Sequence, residues 1–86
     1  SLLLPLLYRM AESYEFEGEP KLGMEYYGKC YALAERLGDA LMLSHLDIKM
    51  GNIELVTNSF VPAKIHFDKA LSRVNPKNPV HTTLEG

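Results

Sequence analysis

The sequence predicts an all-α protein, in which two stacked helix-turn-helix repeats form a fragment of an α–α superhelix. Small and aromatic residues recur at a spacing of 40 residues, apolar residues recur every three or four positions, and glycine, proline and asparagine separate the periodic stretches. The matches at this spacing are Ala11 with Gly51, Gly18 with Asn58, Gly23 with Ala63, Tyr27 with Phe67, and Cys30 with Ala70. A period of this length is typical of stacked helical hairpins rather than of an enzyme fold.

The first repeat is predicted to span about residues 3–38. Its first helix covers roughly residues 3–17 and is ended by Gly18 and Pro20. The apolar residues on one face of this helix are Leu3, Leu7, Met10, Ala11 and Tyr14. The second helix begins near Pro20, where a missing N–H costs nothing, and ends with Gly38 as its C-terminal cap.

The second repeat is predicted to span about residues 39–76 and completes one domain over residues 1–76. Asp39 is a natural N-cap for a third helix over about residues 40–57. The apolar residues in register along it are Leu43, Leu46, Met50 and Ile53. The fourth helix opens near Phe60 and continues through Val74, until Asn75-Pro76 stops it. Residues 77–86 show no periodic pattern and are expected to form a loosely ordered tail.

Length and charge limit the functional classes to which the chain can belong. With 86 residues and 47% apolar content, the chain is long enough for one small domain with a modest core. Nine basic residues are scattered among eleven acidic ones, for a net charge of −2. Nucleic-acid binding needs clustered lysine and arginine, so a nucleic-acid partner is not expected.

Cysteine content and hydropathy indicate in which cellular compartment the chain is expected. Cys30 is the single cysteine and cannot form an internal disulfide, which favours a reducing, cytoplasmic setting. The longest apolar run covers residues 2–7. It is far shorter than the ~20 residues of a membrane-spanning helix, and we expect a soluble chain with no membrane partner.

The repeated positions resemble the tetratricopeptide (TPR) pattern, in its 40-residue-period variant. They are Leu7, Met10, Ala11, Tyr14, Gly18, Gly23, Tyr27 and Cys30 in the first copy, and Met50, Gly51, Asn52, Asn58, Phe60, Ala63, Phe67 and Ala70 in the second. The resemblance covers about residues 3–76. It implies that small residues lie where the two helices of a repeat cross, while Tyr27 and Phe67 fill the space beside them.

Two positions depart from the TPR pattern. The family places bulky apolar residues where this chain has Asp47 and Glu54, which are the counterparts of Leu7 and Tyr14. The alternative is a four-helix bundle in which the 40-residue self-similarity is fortuitous.

Catalytic and metal-binding patterns are not evident. His45, His66 and His81 are not spaced as HExxH, and one cysteine cannot make a CxxC pair. Cys30 occupies the position that Ala70 holds in the second copy, so it is interpreted as an inert core thiol. We expect no cofactor, no metal and no enzymatic activity.

The resemblance implies that the first helix of each repeat lines a concave groove. The candidate partner-binding residues on it are Tyr8, Glu12, Phe16, His45, Lys49, Asn52 and Val56. Family members often hold a peptide backbone with an asparagine at the position of Asn52, and an amide suits this because it both donates and accepts. Chaperone-binding members carry Lys and Asn where this chain has Tyr8 and Glu12, so binding of chaperone tails is disfavoured.

These observations predict a non-catalytic protein–protein interaction module, a scaffold fragment that binds a peptide or helix of a partner protein. One alternative is a peptide-sensing regulatory domain of a larger protein. The other is a self-associating assembly element, whose end faces are Leu2, Leu4, Leu6 and Val74. Leu2, Leu4 and Leu6 lie outside the stripe of Leu3, Leu7 and Met10, so we expect the chain to belong to a longer array or to form homo-oligomers.

Overall fold

Two helix-turn-helix hairpins make up the part of the chain that the computed structural model describes, residues 2–74. The helices are α1 (Leu3–Phe16), α2 (Pro20–Leu37), α3 (Ala40–Val56) and α4 (Phe60–Val74). Helix α1 packs on α2 and α3 packs on α4, while α2 against α3 joins the hairpins. The predicted all-α class is therefore confirmed.

The helix ends follow from the residues that the sequence analysis singled out. Gly18 and Asn58, one repeat apart, both adopt left-handed backbone, with φ of 77° and 65°. Gly38 caps α2 with φ of 68°, and the Asp39 carboxylate accepts a hydrogen bond from the Met42 N–H at 3.0 Å. Helices α1 and α3 each end one residue earlier than predicted. The predicted stop at Asn75-Pro76 and the tail over 77–86 lie outside the described residues.

The core lies where small residues let the helices approach. Its fully or nearly buried apolar members are Leu4, Ala11, Tyr27, Cys30, Ala34, Leu46, Ile53, Ala63 and Ala70. A Cβ at Gly23 would lie 3.6 Å from the carbonyl oxygen of Ala11, and one at Gly51 would lie 2.8 Å from the Phe67 ring. The crossings therefore pair a small residue with the opposite backbone or with an aromatic ring, as the repeat pattern predicts.

The prediction of which residues face the core is wrong for the first turn of α1. Leu4, expected to face outward, is 4% exposed and lies in the core, whereas Leu3 is exposed. The Cys30 thiol donates a weak hydrogen bond to the Leu4 carbonyl at 3.9 Å. Leu4 lies seven residues before Ala11, two helical turns away, so it shares the buried stripe of Ala11. The exposed apolar residues at this end are Leu2, Leu3 and Leu6. The side chain of Val74, the remaining predicted end-face residue, lies outside the described residues.

None of the helices found within residues 2–74 has the combination of length and apolar character that a membrane span requires.

Alanine substitutions at Gly28 and Gly51 test the close crossing of α3 and α4. A Cβ at Gly28 would enter open space, whereas one at Gly51 would meet the Phe67 ring. We expect Gly28→Ala to raise the free energy of unfolding by about 0.5–1 kcal/mol, the usual gain of alanine over glycine in a helix. We expect Gly51→Ala to lower it by about 1 kcal/mol, because the ring must be displaced. Thermal or urea unfolding measures both, and equal stabilisation of the two variants would contradict this account.

Candidate functional site

The first helices of the two hairpins lie side by side and are joined by an ion pair. Lys49 Nζ of α3 lies 3.3 Å from Glu12 Oε2 of α1. Residues three or four apart on a helix share a side, so Phe16 continues the row of Glu12, and Asn52 and Val56 continue the row of Lys49. We call the surface formed by Tyr8, Glu12, Phe16, His45, Lys49, Asn52 and Val56 the α1–α3 face.

Two apolar side chains project from the α1–α3 face. Phe16 is 87% exposed and Val56 is 78% exposed, and they occupy equivalent positions one repeat apart. His45 and Asn52 are also exposed, and neither side chain has a hydrogen-bond partner among residues 2–74. An open depression of about 440 Å³ beside Phe16 is lined by Arg9, Glu12, Ser13 and Glu17. The face therefore offers apolar groups, an amide and an imidazole to a ligand.

Tyr8 forms the floor of the face instead of projecting from it. Its ring packs edge-to-face on Tyr27, with the ring centroids 5.8 Å apart. Burial raises the pKa of the Tyr8 hydroxyl, and the nearby Lys49 ammonium opposes that shift. The Tyr27 hydroxyl donates a hydrogen bond to Glu15 Oε1 at 2.7 Å. Burial, and then this hydrogen bond to a carboxylate, raise the pKa of Tyr27.

A buried polar cluster lies where α2, α3 and α4 meet. Asp47 has no exposed surface, and its Oδ2 accepts hydrogen bonds from Arg73 Nη1 at 2.5 Å and from the Tyr31 hydroxyl at 3.2 Å. Arg73 Nη2 donates to the Tyr31 hydroxyl at 2.8 Å, which closes the triangle. Burial lowers the pKa of Arg73, but its hydrogen bonds to Asp47 and Tyr31 outweigh this and the net shift is upward. Each of the three helices contributes one member to this triangle.

A second pair extends the cluster along α4. His66 Nδ1 lies 2.5 Å from Glu54 Oε1, and His66 Nε2 lies 3.9 Å from Asp47 Oδ1. Asp47 Oδ1 makes no hydrogen bond with any part of the chain that the structure describes. Both residues that depart from the apolar TPR pattern, Asp47 and Glu54, are thus paired with polar residues of α4.

The sequence carried a signal for this cluster that the sequence analysis missed. Asp47 and Glu54 are seven residues apart on α3, and His66 and Arg73 are seven residues apart on α4. The two helices of a hairpin run antiparallel, so Asp47 comes beside Arg73 and Glu54 comes beside His66. Two acidic positions facing two basic positions at the same spacing therefore predict the observed pairing.

No family model, curated protein or solved structure matches this chain. The resemblance to TPR repeats therefore stays a prediction, and the function has to be argued from the geometry.

The ionisable groups of the cluster hydrogen-bond to each other, and Tyr31 and Arg73 also line an open depression of about 530 Å³. Cys30 is fully buried, and burial raises the pKa of its thiol to about 11. It is therefore a protonated core residue at neutral pH. No group of three potential metal ligands occurs within residues 2–74, and His81 lies outside them.

The Asp47–Arg73 pair can be tested by a double-mutant cycle. Arg73→Met leaves a buried carboxylate without its cation, and we expect it to lower the free energy of unfolding by about 2–4 kcal/mol. Adding Asp47→Leu should restore most of this loss, because an apolar residue at position 47 needs no partner. Urea denaturation of both single variants and of the double variant measures the coupling.

Lys64→Met is the matched control for that cycle. Lys64 lies on the same helix and forms an ion pair with Asp68 at 2.8 Å, but both side chains are exposed. It should leave stability nearly unchanged. Strictly additive effects of Asp47→Leu and Arg73→Met would show that the buried pair does not couple α3 to α4.

The burial of Cys30 predicts a loss of stability at alkaline pH. Its thiol pKa rises from 9.0 to about 11 on folding, so its contribution is present below pH 9 and is lost as pH rises toward 11. The loss of free energy of unfolding is at most roughly 3 kcal/mol. Urea midpoints of the parent should fall over this range, and those of Cys30→Ala should fall less. Burial also raises the pKa of Tyr27, so both proteins should lose stability from about pH 10 upward. A native thiol that reacts with an aromatic disulfide reagent as fast as the unfolded chain would contradict the burial.

Proposed function

We propose that the chain is a non-catalytic, TPR-like protein–protein interaction module that binds a peptide or helix of a partner on the α1–α3 face. The observation that carries this proposal is the pair of exposed apolar side chains, Phe16 and Val56, at equivalent positions of consecutive repeats. Apolar anchors repeated along one face suit a ligand that lies across both hairpins. A reducing cytoplasmic setting fits the lone, buried thiol of Cys30.

The chemistry of the face favours an uncharged contact. Glu12 and Lys49 pair with each other, so neither needs a ligand charge for compensation. Phe16 and Val56 supply apolar contact area, and Asn52 supplies a donor and an acceptor for a backbone amide. The preferred ligand is therefore a segment with apolar side chains spaced to reach both anchors, and not a strongly acidic or basic tail.

The buried polar cluster supports this face from beneath. Asp47 projects from α3 into the cluster, whereas Lys49 and Asn52 of the same helix project onto the face. Fixing the rotation of α3 through Asp47 therefore also fixes where its ligand-facing side chains point. A face held in this way loses less conformational freedom when a ligand binds.

Val56→Ala and Val61→Ala form a matched pair for testing the face. Both valines are similarly exposed, at 78% and 73%, but Val61 lies on α4 and away from the face. Peptides selected from a random-sequence display library against the parent chain should bind Val56→Ala about 5- to 30-fold more weakly, and Val61→Ala with unchanged affinity. Fluorescence anisotropy of a labelled peptide measures the dissociation constants.

Phe16→Ala and Asn52→Ala complete this test. The first should weaken binding at least as much as Val56→Ala, because a phenyl ring contributes more contact area. The second should cost about 1 kcal/mol, the value of a hydrogen bond. Equal affinity across all four variants, or a library that yields no binder, would refute the α1–α3 face as a peptide site.

A further inference from the structure

Two apolar surfaces at opposite ends of the helical stack are left uncovered within residues 2–74. The N-terminal face consists of the exposed residues Leu2, Leu3 and Leu6 of α1. The C-terminal face consists of the exposed side chains of Ile48, Leu55 and Leu71, with the half-buried Phe67 and the buried Ala70 at its base. An open depression of about 380 Å³ on the C-terminal face is lined by Ile48, Phe67, Ala70 and Leu71 alone. Uncovered apolar patches of this kind mark contact surfaces.

The 40-residue repeat shows what kind of element fits the C-terminal face. Its residues correspond, one repeat earlier, to Tyr8, Glu15, Tyr27, Cys30 and Tyr31. In the first hairpin, Tyr27 and Cys30 share a core cluster with Leu46 and Ile53 of α3, and Tyr31 donates a hydrogen bond to Asp47 of α3. Helix α3 therefore covers on the first hairpin the surface that the second hairpin leaves open.

The same shift identifies the helix that can take the place of α3. Leu2, Leu3 and Leu6 correspond to Met42, Leu43 and Leu46 of α3. Leu46 is fully buried in the core cluster, and Met42 and Leu43 pack against it. The exposed leucines of α1 are thus the counterparts of the residues with which α3 packs into the stack.

Charge favours the same arrangement. Residues 1–40 carry four basic and seven acidic side chains, a net charge of −3, whereas residues 41–86 carry five and four, a net charge of +1. Placing the first hairpin of one molecule on the second hairpin of another brings opposite net charges together. Stacking two first hairpins would bring like charges together.

We propose that a second copy of this chain occupies the C-terminal face. Helix α1 of one molecule packs on α3 and α4 of the other, in the same way that α3 packs on α1 and α2 within one molecule. This contact is heterologous, so each added molecule exposes a new C-terminal face, and assembly continues beyond the dimer. It uses neither Phe16 nor Val56 and does not depend on peptide binding by the α1–α3 face.

The assembly is tested on the 86-residue chain by light scattering and sedimentation velocity over a dilution series. The weight-average mass is expected to rise with concentration and to pass that of a dimer. Leu6→Glu on the N-terminal face and Leu71→Glu on the C-terminal face each place a charge in the contact. Each should weaken association by at least roughly tenfold. Both positions are exposed, and far-UV circular dichroism should show unchanged helicity.

Mixing the two variants separates this arrangement from other modes of association. Leu6→Glu retains an intact C-terminal face and Leu71→Glu retains an intact N-terminal face. An equimolar mixture is therefore expected to form a 1:1 heterodimer that does not grow. If Leu6→Glu alone dimerised as strongly as the parent, the contact would join two C-terminal faces and the proposal would be overturned.

Further controls keep the outcome interpretable. Phe16→Glu lies on neither end face and should assemble like the parent while losing peptide binding, which separates this proposal from the proposed function. If a glutamate variant loses helicity, Leu2→Glu and Ile48→Glu replace it on the same faces. A folded parent that stays monomeric up to ~1 mM would overturn self-assembly and leave the end faces to a helix of another protein.

Discussion

The arrangement of the second hairpin depends on one buried carboxylate. Asp47 has no contact with solvent, and a charge in that position is tolerated only if cations and hydroxyl groups are directed at it. Arg73 and Tyr31 satisfy this requirement from two different helices. The close fit of Phe67 against Gly51 constrains how α4 packs on α3, and the buried polar pairing adds a second constraint. The pairing with Asp47 selects one register, because any other leaves a buried charge without a partner.

Helix α3 uses every side of its circumference. Leu46 and Ile53 face the core, Asp47 and Glu54 face polar groups of α4, Lys49 faces α1, and Ile48 and Leu55 remain uncovered. Because residues one position apart differ by about 100° around a helix, consecutive residues 46–49 point in four directions. A helix of this kind has little amphipathic pattern of its own, and its environment has to be derived from its neighbours.

The difference between what the sequence predicted and what it did not reflects local and non-local interactions. Helix ends were predicted to within one residue, because Gly18 and Gly38 act through their own backbone and Asp39 through a hydrogen bond to a residue three positions away. The prediction that Leu4 faces outward was wrong. In an apolar run at the start of a helix, either of two sets of residues can face the core, and packing on α2 decides which set does. Asp47 was recognised as a departure from the pattern, but its partners lie on other helices and were not assigned. The residues of the α1–α3 face were placed by resemblance. The structure juxtaposes Glu12 with Lys49 and leaves Phe16 and Val56 exposed.

The one-repeat shift also explains why a joint between two molecules should be weaker than the joint inside one. At the position of the Glu12–Lys49 ion pair, the joint between molecules has Asn52 of one molecule facing Arg9 of the next. At the position of the Tyr31–Asp47 hydrogen bond, it has Leu71 facing Leu7. The joint between molecules thus lacks both the ion pair and the hydrogen bond to Asp47 that fix register within the chain. Assembly through this joint would be reversible and dependent on concentration.

Assembly would also place α1 of one molecule beside α3 of the previous one. The α1–α3 face would then continue from molecule to molecule, with Phe16 and Val56 alternating along it. A partner with several apolar segments would then bind an assembly more tightly than a single chain without any new contact, because each further segment binds at a high effective concentration.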